Sequence, residues 1–239
     1  MFKLNVGMVL GTLLLAAPAW SSLIIVSNGS FENPALVAGN PGVVSSFANG
    51  LFEWGDLIGG GIPGWTITSG ASNTGIYKPS VLGPFTLNAG SPVPTGPTGV
   101  PDGVQVGFLQ FGGSIFQDLT PIAGTGSYQV SVDVGHRTDV VSGAYTISLS
   151  TSGGTPLASF TGDISSIASG AWARETVTFE GAPIPVGQSL RLTLSAPGGQ
   201  VAFDNVEAYT APEIGGSAVF WTMFGVAGFW IYRKKRSVA

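Results

Sequence analysis

The stretch Tyr128-Gln129-Val130-Ser131-Val132-Asp133-Val134 decides the fold. Its aromatic and β-branched residues alternate strictly with polar residues, so all the apolar side chains share one face and the polar ones share the other. A period of two residues predicts a β-strand with one buried face. The segment is therefore predicted to line the core of a sheet protein.

Comparable strand patterns occur on both sides of this stretch. They lie at residues 23–26, 64–68, 75–79, 104–111, 114–119, 144–149, 157–160, 173–179, 189–194 and 201–209. Short strands that each have one apolar face must pair into two sheets and pack face to face. The sequence therefore predicts an all-β protein, an antiparallel β-sandwich of jelly-roll type.

The composition agrees with this fold class. The 239 residues are 44% hydrophobic and include 37 glycines, 16 prolines and no cysteine. Frequent tight turns account for the glycine and proline, and the apolar fraction is sufficient for a sizeable core. Because there is no cysteine, no disulfide stabilises the fold.

The N-terminal residues have the three parts of a secretory signal peptide. Lys3 supplies the positive charge, residues 6–17 form an apolar segment, and Ala17-Pro18-Ala19 places small residues at a cleavage site. We therefore predict a signal peptide at residues 1–22 and a single β-sandwich domain at residues 23–210. A first transmembrane helix is the alternative, and the shortness of the apolar segment disfavours it.

The C-terminal residues 211–239 also have three parts. A short motif, Ala211-Pro212-Glu213-Ile214, precedes an uncharged apolar run to Tyr232 and the basic cluster Arg233-Lys234-Lys235-Arg236. Residues 214–232 are long enough to cross a membrane as a helix, and the basic cluster would stay on its cytoplasmic side. A plain membrane anchor is the alternative to a sorting signal.

This tail resembles the PEP-CTERM family of sorting domains. Pro212 and Glu213 match the motif and residues 233–236 match the basic end, whereas Ile214 stands where the family usually has Pro. The resemblance implies processing by an exosortase-type membrane protease. It also implies an exported protein of the cell envelope or extracellular space, anchored in the inner membrane either transiently or permanently.

The predicted domain is acidic. Residues 23–210 carry four cations against twelve carboxylates, a net charge of −8, whereas the whole chain has −4 because much of its positive charge lies in the tail. A surface with this excess of negative charge excludes nucleic acid as a partner.

Two carboxylates are expected to converge. Glu32 follows the first strand within the turn that begins at Asn28, and Asp204 lies in the last strand. The first and last strands of a jelly roll commonly run side by side, and converging carboxylates suit a calcium ion. The alternative is that Asn28 and Glu32 cap a turn while Asp204 lies on a solvated strand face.

The same residues carry a second resemblance. The Asn28-Gly-Ser-Phe-Glu32 start, the pair Gly64-Trp65 and the closing Asp204-Asn205-Val206 are similar to β-sandwiches of the galactose-binding-like, carbohydrate-binding-module type. That family commonly holds a structural calcium, and the resemblance implies Glu32 and Asp204 as its ligands here.

A ligand-binding cluster is predicted just after the strand at residues 128–134. Arg137 and Asp139 follow the only histidine, His136. Such side chains can grip sugar hydroxyls, and exposed aromatic residues could stack on a sugar ring. The candidate stacking residues are Trp54, Tyr77 and Trp172. The alternative is that Arg137 pairs with Asp139 and the aromatic residues fill the core.

The sequence predicts no enzyme. It has no cysteine, one histidine and no Gly-x-Ser-x-Gly motif. The function predicted first is a non-catalytic envelope or matrix protein that binds exopolysaccharide, as in adhesion within a biofilm. The alternatives are a purely structural matrix protein and a secreted hydrolase of polysaccharide. The hydrolase would draw its carboxylates from Glu53, Asp56, Asp102 and Asp139.

Overall fold

The computed structural model describes residues 21–36, 52–54, 61–70, 74–79, 83–85, 99–120, 126–140 and 143–210, with the backbone alone at 52–54. Residues Ser21–Ala211 form one compact unit. Residues 1–20 of the predicted signal peptide and the predicted tail from residue 211 lie outside the described residues. Within the described ranges, no helix has the length and apolarity needed to span a membrane.

Twelve strands make up the described fold. They are β1 (Leu23–Ile24), β2 (Phe52–Trp54), β3 (Thr66–Ser69), β4 (Thr74–Pro79), β5 (Val106–Gln110), β6 (Gly113–Leu119), β7 (Ser127–Gly135), β8 (Ala144–Thr151), β9 (Pro156–Asp163), β10 (Trp172–Glu180), β11 (Leu190–Ala196) and β12 (Gln200–Thr210). A single 3₁₀ turn, Ile164–Ser166, follows β9.

The strands form two antiparallel sheets. Sheet 1 has seven strands, six of them in the order β10-β7-β12-β5-β4-β2, with β1 also pairing to β12. Sheet 2 has five strands in the order β3-β6-β11-β8-β9. The predicted all-β, antiparallel sandwich is confirmed.

The main core lies between the two sheets. From sheet 1 it takes the inward residues of β7 and β12, among them Val130, Val132 and Phe203, and from sheet 2 those of β8 and β11, among them Ile147 and Leu192. Burying each such aliphatic side chain stabilises the fold by roughly 1.5–3 kcal/mol. The alternating pattern of the sequence is therefore the direct cause of the two-layer architecture.

Two details differ from the sequence predictions. A strand, β2, lies within residues 38–61, where the sequence patterns given above include no strand; most of that segment is outside the described residues. In addition, β7 is buried on both faces from Val130 onward, although its pattern predicts one buried face. Other side chains must therefore cover the outer face of sheet 1 at the end of β7.

Candidate functional site

A second apolar cluster covers that outer face. It consists of four aromatic residues, Tyr77, Phe85, Phe108 and Trp172, with three smaller residues, Val100, Val106 and Ala202. We call it the aromatic cluster. The strand registers place it there, because Trp172 is opposite Gly135 and Ala202 is opposite both Gly135 and Phe108.

The aromatic rings form a continuous contact. Phe85 lies between Trp172, with ring centroids 4.4 Å apart, and Tyr77, at 6.5 Å with nearly parallel planes. Phe108 is 5.7 Å from Tyr77. Gly135 leaves room for this arrangement, because a Cβ there would lie 2.8 Å from the Trp172 ring and 2.9 Å from Phe85. The backbone of β7 thus forms the floor of the cluster.

Two segments outside the strands close the cluster from above. The Trp172 indole nitrogen donates to the Gly99 carbonyl at 2.8 Å, which fixes the segment at 99–100. The Thr138 backbone N–H donates to the Pro84 carbonyl at 2.9 Å, which fixes the segment that carries Phe85. Phe85 is 3% exposed and Trp172 is 0% exposed, so the cluster is closed to solvent.

Arg137 and Asp139 flank the cluster. The Arg137 guanidinium forms a two-pronged hydrogen bond with the Asp139 carboxylate and lies over the Tyr77 ring, 5.3 Å from its centroid. Burial raises the pKa of the Tyr77 hydroxyl, and Arg137 partly offsets this effect. The neighbouring His136 instead holds the Ile167 carbonyl through Nδ1 at 2.7 Å.

The structure therefore brings together four residues that the sequence proposed for ligand binding: Arg137, Asp139, Tyr77 and Trp172. Their setting differs from the prediction, because both aromatic residues are buried in the cluster. The fifth, Trp54, lies on β2 next to β4, and its side chain is outside the description.

Two fully buried carboxyl groups lie beside the aromatic cluster. Asp204 on β12 is opposite Asp133 on β7, two residues from Ala202 and Gly135 respectively on the same strand face. Both are 0% exposed. Burial raises the pKa of Asp133, and it raises the pKa of Asp204 well above the usual range, with the negative charges of Asp102 and Asp133 adding to the shift.

Backbone donors hold the Asp204 carboxyl in place. One of its oxygens, Oδ1, accepts the Asn205 N–H at 2.7 Å, and Oδ2 accepts the Asp102 N–H at 2.9 Å. These hydrogen bonds oppose the rise in the pKa of Asp204, but desolvation is the larger effect. Burial therefore favours the protonated, neutral form of this carboxyl.

Asp133 belongs to a polar network that includes Asn205, Arg174 and Glu207. Its Oδ2 accepts a hydrogen bond from the Asn205 amide at 2.9 Å and lies 3.1 Å from the Arg174 guanidinium. Arg174 also binds the Glu207 carboxylate and the Asn205 carbonyl. Asn205 has a φ of 47°, a left-handed conformation that asparagine tolerates better than most residues. Asn205 therefore forms hydrogen bonds with both Asp133 and Asp204.

Glu32 and Asp204, which were predicted to converge on a calcium ion, both bind the backbone of one segment. Glu32 Oε1 accepts the N–H groups of Val104 and Gln105 at 2.6 and 2.7 Å, while Asp204 accepts that of Asp102. Asn28 pins its own turn by hydrogen bonds with Asn33 and Pro63.

In this structure both carboxylates bind backbone amides. Glu32 Oε1 accepts two N–H groups, and each Asp204 oxygen accepts one. In the described part of the chain, no three acidic, histidine or cysteine residues are grouped to hold a metal. The calcium site stays a prediction that rests on the sequence resemblance.

Sequence reasoning missed Asp133, Phe85 and Phe108 as members of the site. Asp133 was placed on the polar face of its strand, and the period of two cannot show that another segment covers that face. Among the carboxylates considered for a hydrolase, Asp102 is exposed and contributes its backbone N–H to the site. Glu53 is described in its backbone alone, and Asp56 lies outside the described residues.

Comparison with known proteins identifies the class of protein that has this fold. The family model for HpiC1-like proteins, described as HpiC1 cyclase, matches residues 22–208. The chain therefore belongs to the HpiC1-like family. No curated protein matches it in sequence.

Solved structures of cyclases from Fischerella sp. TAU share the fold. The Stig cyclase Fisc, in complex with (3Z)-3-(1-methyl-2-pyrrolidinylidene)-3H-indole, has a TM-score of 0.57 at 19% identity, over 81% of this chain and 99% of that one. Another, in complex with 4-(1H-indol-3-yl)butan-2-one, has a TM-score of 0.54 at 20% identity, over 80% and 98%.

These findings correct the predicted function. The interpretation as a non-catalytic envelope or matrix protein that binds exopolysaccharide is wrong, because the chain belongs to a family of cyclases. The same match contradicts the two alternative functions, a hydrolase of polysaccharide and a purely structural matrix protein. The resemblance to carbohydrate-binding modules is confirmed only in the β-sandwich fold. The error arose because ring closure needs none of the motifs whose absence argued against catalysis.

Proposed function

We propose that the protein is a cyclase that closes a ring in an aromatic small molecule by proton transfer from Asp204. One observation carries this proposal: a fully buried carboxyl with a strongly raised pKa lies against a cluster of four aromatic residues. A buried carboxyl whose pKa is raised is suited to general acid catalysis. Membership of a cyclase family supports the reaction class.

The reaction balances without an oxidant or reductant. The Asp204 carboxyl donates its proton to a π bond of the substrate, which leaves a carbocation. A second π bond of the same molecule attacks that cation and forms the new carbon–carbon bond. Loss of a proton from the substrate to the carboxylate restores both the acid and a neutral, isomeric product.

The aromatic cluster has two roles in this scheme. Its ring faces stack on a flat substrate and stabilise positive charge that develops next to them. Its apolar walls also keep water from intercepting the cation. An indole-type substrate suits these walls, and the two Fischerella cyclases are each in complex with a ligand that contains an indole ring system.

The substrate can reach Asp204 only when the cluster opens. Segments 83–85 and 99–102 are tied to the sandwich by the hydrogen bonds of Thr138, Trp172 and Asp204 described above. Breaking a few such bonds costs far less than unfolding a sheet, because each contributes on the order of 1 kcal/mol. These segments are the natural point of access.

The test uses the full chain and indoles that carry an alkene or carbonyl side chain. Incubation is expected to yield a product of unchanged mass with a new ring, detected by chromatography and NMR. Asp204→Asn keeps the size of the side chain and removes the acid, so the product should disappear. Asp118→Asn is the matched control, because Asp118 pairs with Arg191 on sheet 2, away from the cluster. Equal turnover by wild type and Asp204→Asn would refute the proposal.

We also propose that the protein is exported and that an exosortase-type protease processes its tail. The support is the signal-like N-terminus and the order of Pro212-Glu213, apolar run and Arg233–Arg236 in the sequence. Mass spectrometry of the mature protein tests this. A chain isolated from the producing cells with both ends intact would contradict it.

A further inference from the structure

Strand β12 contains a β-bulge directly after Asp204. Asp204 is opposite Asp133 on β7. Glu207, three residues further along β12, is opposite Ser131, which is only two residues from Asp133. Residues 205–206 therefore oppose a single residue of β7, which is the pattern of a bulge. Bulges re-aim side chains and are common next to active sites.

The bulge brings the side chain of Asn205 to the outer face of sheet 1. Phe203, Val206 and Ala208 all belong to the main core. Without the extra residue, the alternation of the strand would direct Asn205 into that core and Val206 away from it. Instead, the Asn205 amide donates to Asp133 Oδ2 at 2.9 Å. A polar side chain is thereby kept out of the core and placed beside both acids.

Asn205 also holds Asp204 through its backbone. Its φ is 47°, and in this left-handed conformation its N–H donates to Asp204 Oδ1 at 2.7 Å. The Asn205 carbonyl accepts a hydrogen bond from Arg174, and the Val206 N–H donates to the Gly29 carbonyl at 3.0 Å. Glycine is the usual residue at a left-handed position of a bulge. Asparagine tolerates this conformation and adds an amide.

We infer that Asn205 is a positioning residue for Asp204: its left-handed backbone aims an N–H at Oδ1 and so sets the orientation of the carboxyl that donates the proton. The inference rests on the proposed function and adds the residue through which the bulge acts on it. A proton donor must be held in a narrow range of geometries, because a displacement of about 1 Å can lower a rate by about a hundredfold.

Two substitutions at this position separate the backbone from the amide. Asn205→Gly and Asn205→Ala both lose the amide donor, but only glycine adopts the left-handed conformation without strain. In the cyclisation assay described above, Asn205→Gly should keep kcat within about threefold of wild type, whereas Asn205→Ala should lose about tenfold to a hundredfold. KM should change by less than about twofold in both variants, because the aromatic cluster is unaltered.

Gly154→Ala is the matched control for backbone strain. Gly154 lies in the turn between β8 and β9 on sheet 2 with a φ of 91°, and a Cβ there meets nothing within 4 Å. Alanine at this position therefore has the same kind of strain without touching Asp204, and kcat should equal that of wild type. A loss as large as that of Asn205→Ala would show that strain alone lowers activity, and it would overturn the inference.

Hydrogen exchange of the residue 205 N–H, measured by NMR on the full chain, is a readout that needs no turnover. This N–H should be protected in wild type and Asn205→Gly, and it should exchange at least about tenfold faster in Asn205→Ala. Equal kcat in the two variants, or unchanged protection in Asn205→Ala, would contradict the positioning role.

Should Asn205→Ala fail to fold, wild type and Asn205→Gly still decide the question. Loss of protection in Asn205→Gly, or a kcat more than about tenfold below that of wild type, would overturn the inference. If wild type itself does not cyclise the substrate, the proposed function fails, while the exchange measurement still decides whether Asn205 orients the Asp204 carboxyl.

Discussion

At the scale of single residues, the site depends on what burial does to a carboxyl group. Asp204 gains two backbone hydrogen bonds yet remains easier to protonate than a solvated aspartate, because no water reaches it. The protein therefore obtains an acid from a residue type that is ordinarily ionised at neutral pH. The nearby charges of Asp102 and Asp133 act in the same direction, while Arg174 faces Asp133.

The pH dependence of cyclisation follows from this environment. Protonated Asp204 is the active form, so kcat/KM should be full below the raised pKa of Asp204 and fall as the pH increases through it. A pH profile of the full chain checks this, and Asp118→Asn should give the same profile. Activity that rises with pH over this range would contradict the role of Asp204.

Gly135 is expected to tolerate no larger side chain without a loss of stability. In Gly135→Ala, the new Cβ would meet the rings of Trp172 and Phe85 at less than van der Waals distance. We expect the unfolding free energy to fall by about 1–3 kcal/mol, with weaker ligand binding, as measured by denaturant titration and calorimetry. Gly198→Ala is the matched control, because a Cβ there meets nothing within 4 Å. Equal stability of the two variants would show that the rings have room to move.

At the scale of elements, the N-terminal turn and the segment before β5 are joined by two side chains, Glu32 and Gln105. Glu32 Oε1 binds the N–H groups of Val104 and Gln105, and Gly103 makes room for it. Gln105 returns hydrogen bonds to the carbonyls of Phe31 and Pro34. The turn after β1 is thereby fixed to the segment that closes the aromatic cluster.

Replacing Glu32 tests whether backbone donors or calcium hold this junction. Glu32→Ala is expected to lower the unfolding free energy by about 2–4 kcal/mol, because two hydrogen bonds to a charged group are lost. A chelator should leave the melting temperature of wild type unchanged. A wild-type melting temperature that falls on chelation and recovers with calcium would instead favour the ion suggested by the sequence resemblance.

The strands also show how far sequence reasoning reaches. The alternation in β7, β8 and β11 was sufficient to predict two packed sheets, because a period of two leaves only one way to bury the apolar face. The same alternation misplaced Asp133, which has a polar residue's position in the pattern but is fully buried in the structure. Contacts between distant segments leave no periodic trace. The structure brings Arg137, Asp139, Tyr77 and Trp172 together in the arrangement given as the alternative: Arg137 pairs with Asp139, and both aromatic residues are buried.

At the scale of the whole molecule, the buried acids set the response of stability to pH. The folded state binds more protons than the unfolded state between the ordinary aspartate pKa of 3.8 and the raised values of Asp204 and Asp133. Their stabilising contribution is therefore full below the ordinary pKa and is lost as the pH rises through the raised ones. Asp118 and Asp163, whose pKa values are lowered, act in the opposite direction at low pH.

We therefore expect the melting temperature to decrease as the pH rises from the ordinary aspartate pKa of 3.8 through the raised pKa values of Asp133 and Asp204. Asp204→Asn should have a flatter dependence, since its side chain does not ionise, and Asp118→Asn should retain the slope of wild type. Thermal melts of the full chain at fixed ionic strength measure both slopes. A wild-type melting temperature that increases over this range would show that Asp204 is ionised in the folded protein.

The placement of β12 has a consequence for the order of events during folding. This strand pairs with β1, β5 and β7, and its contact with β1 joins Leu23 to Tyr209. Closing so long a loop is entropically costly, and folds dominated by such contacts form slowly. β12 lies in the middle of sheet 1 and is the last of its strands to be synthesised. Asp204 is part of this strand. A chain that has not been synthesised through β12 therefore lacks both the centre of sheet 1 and Asp204.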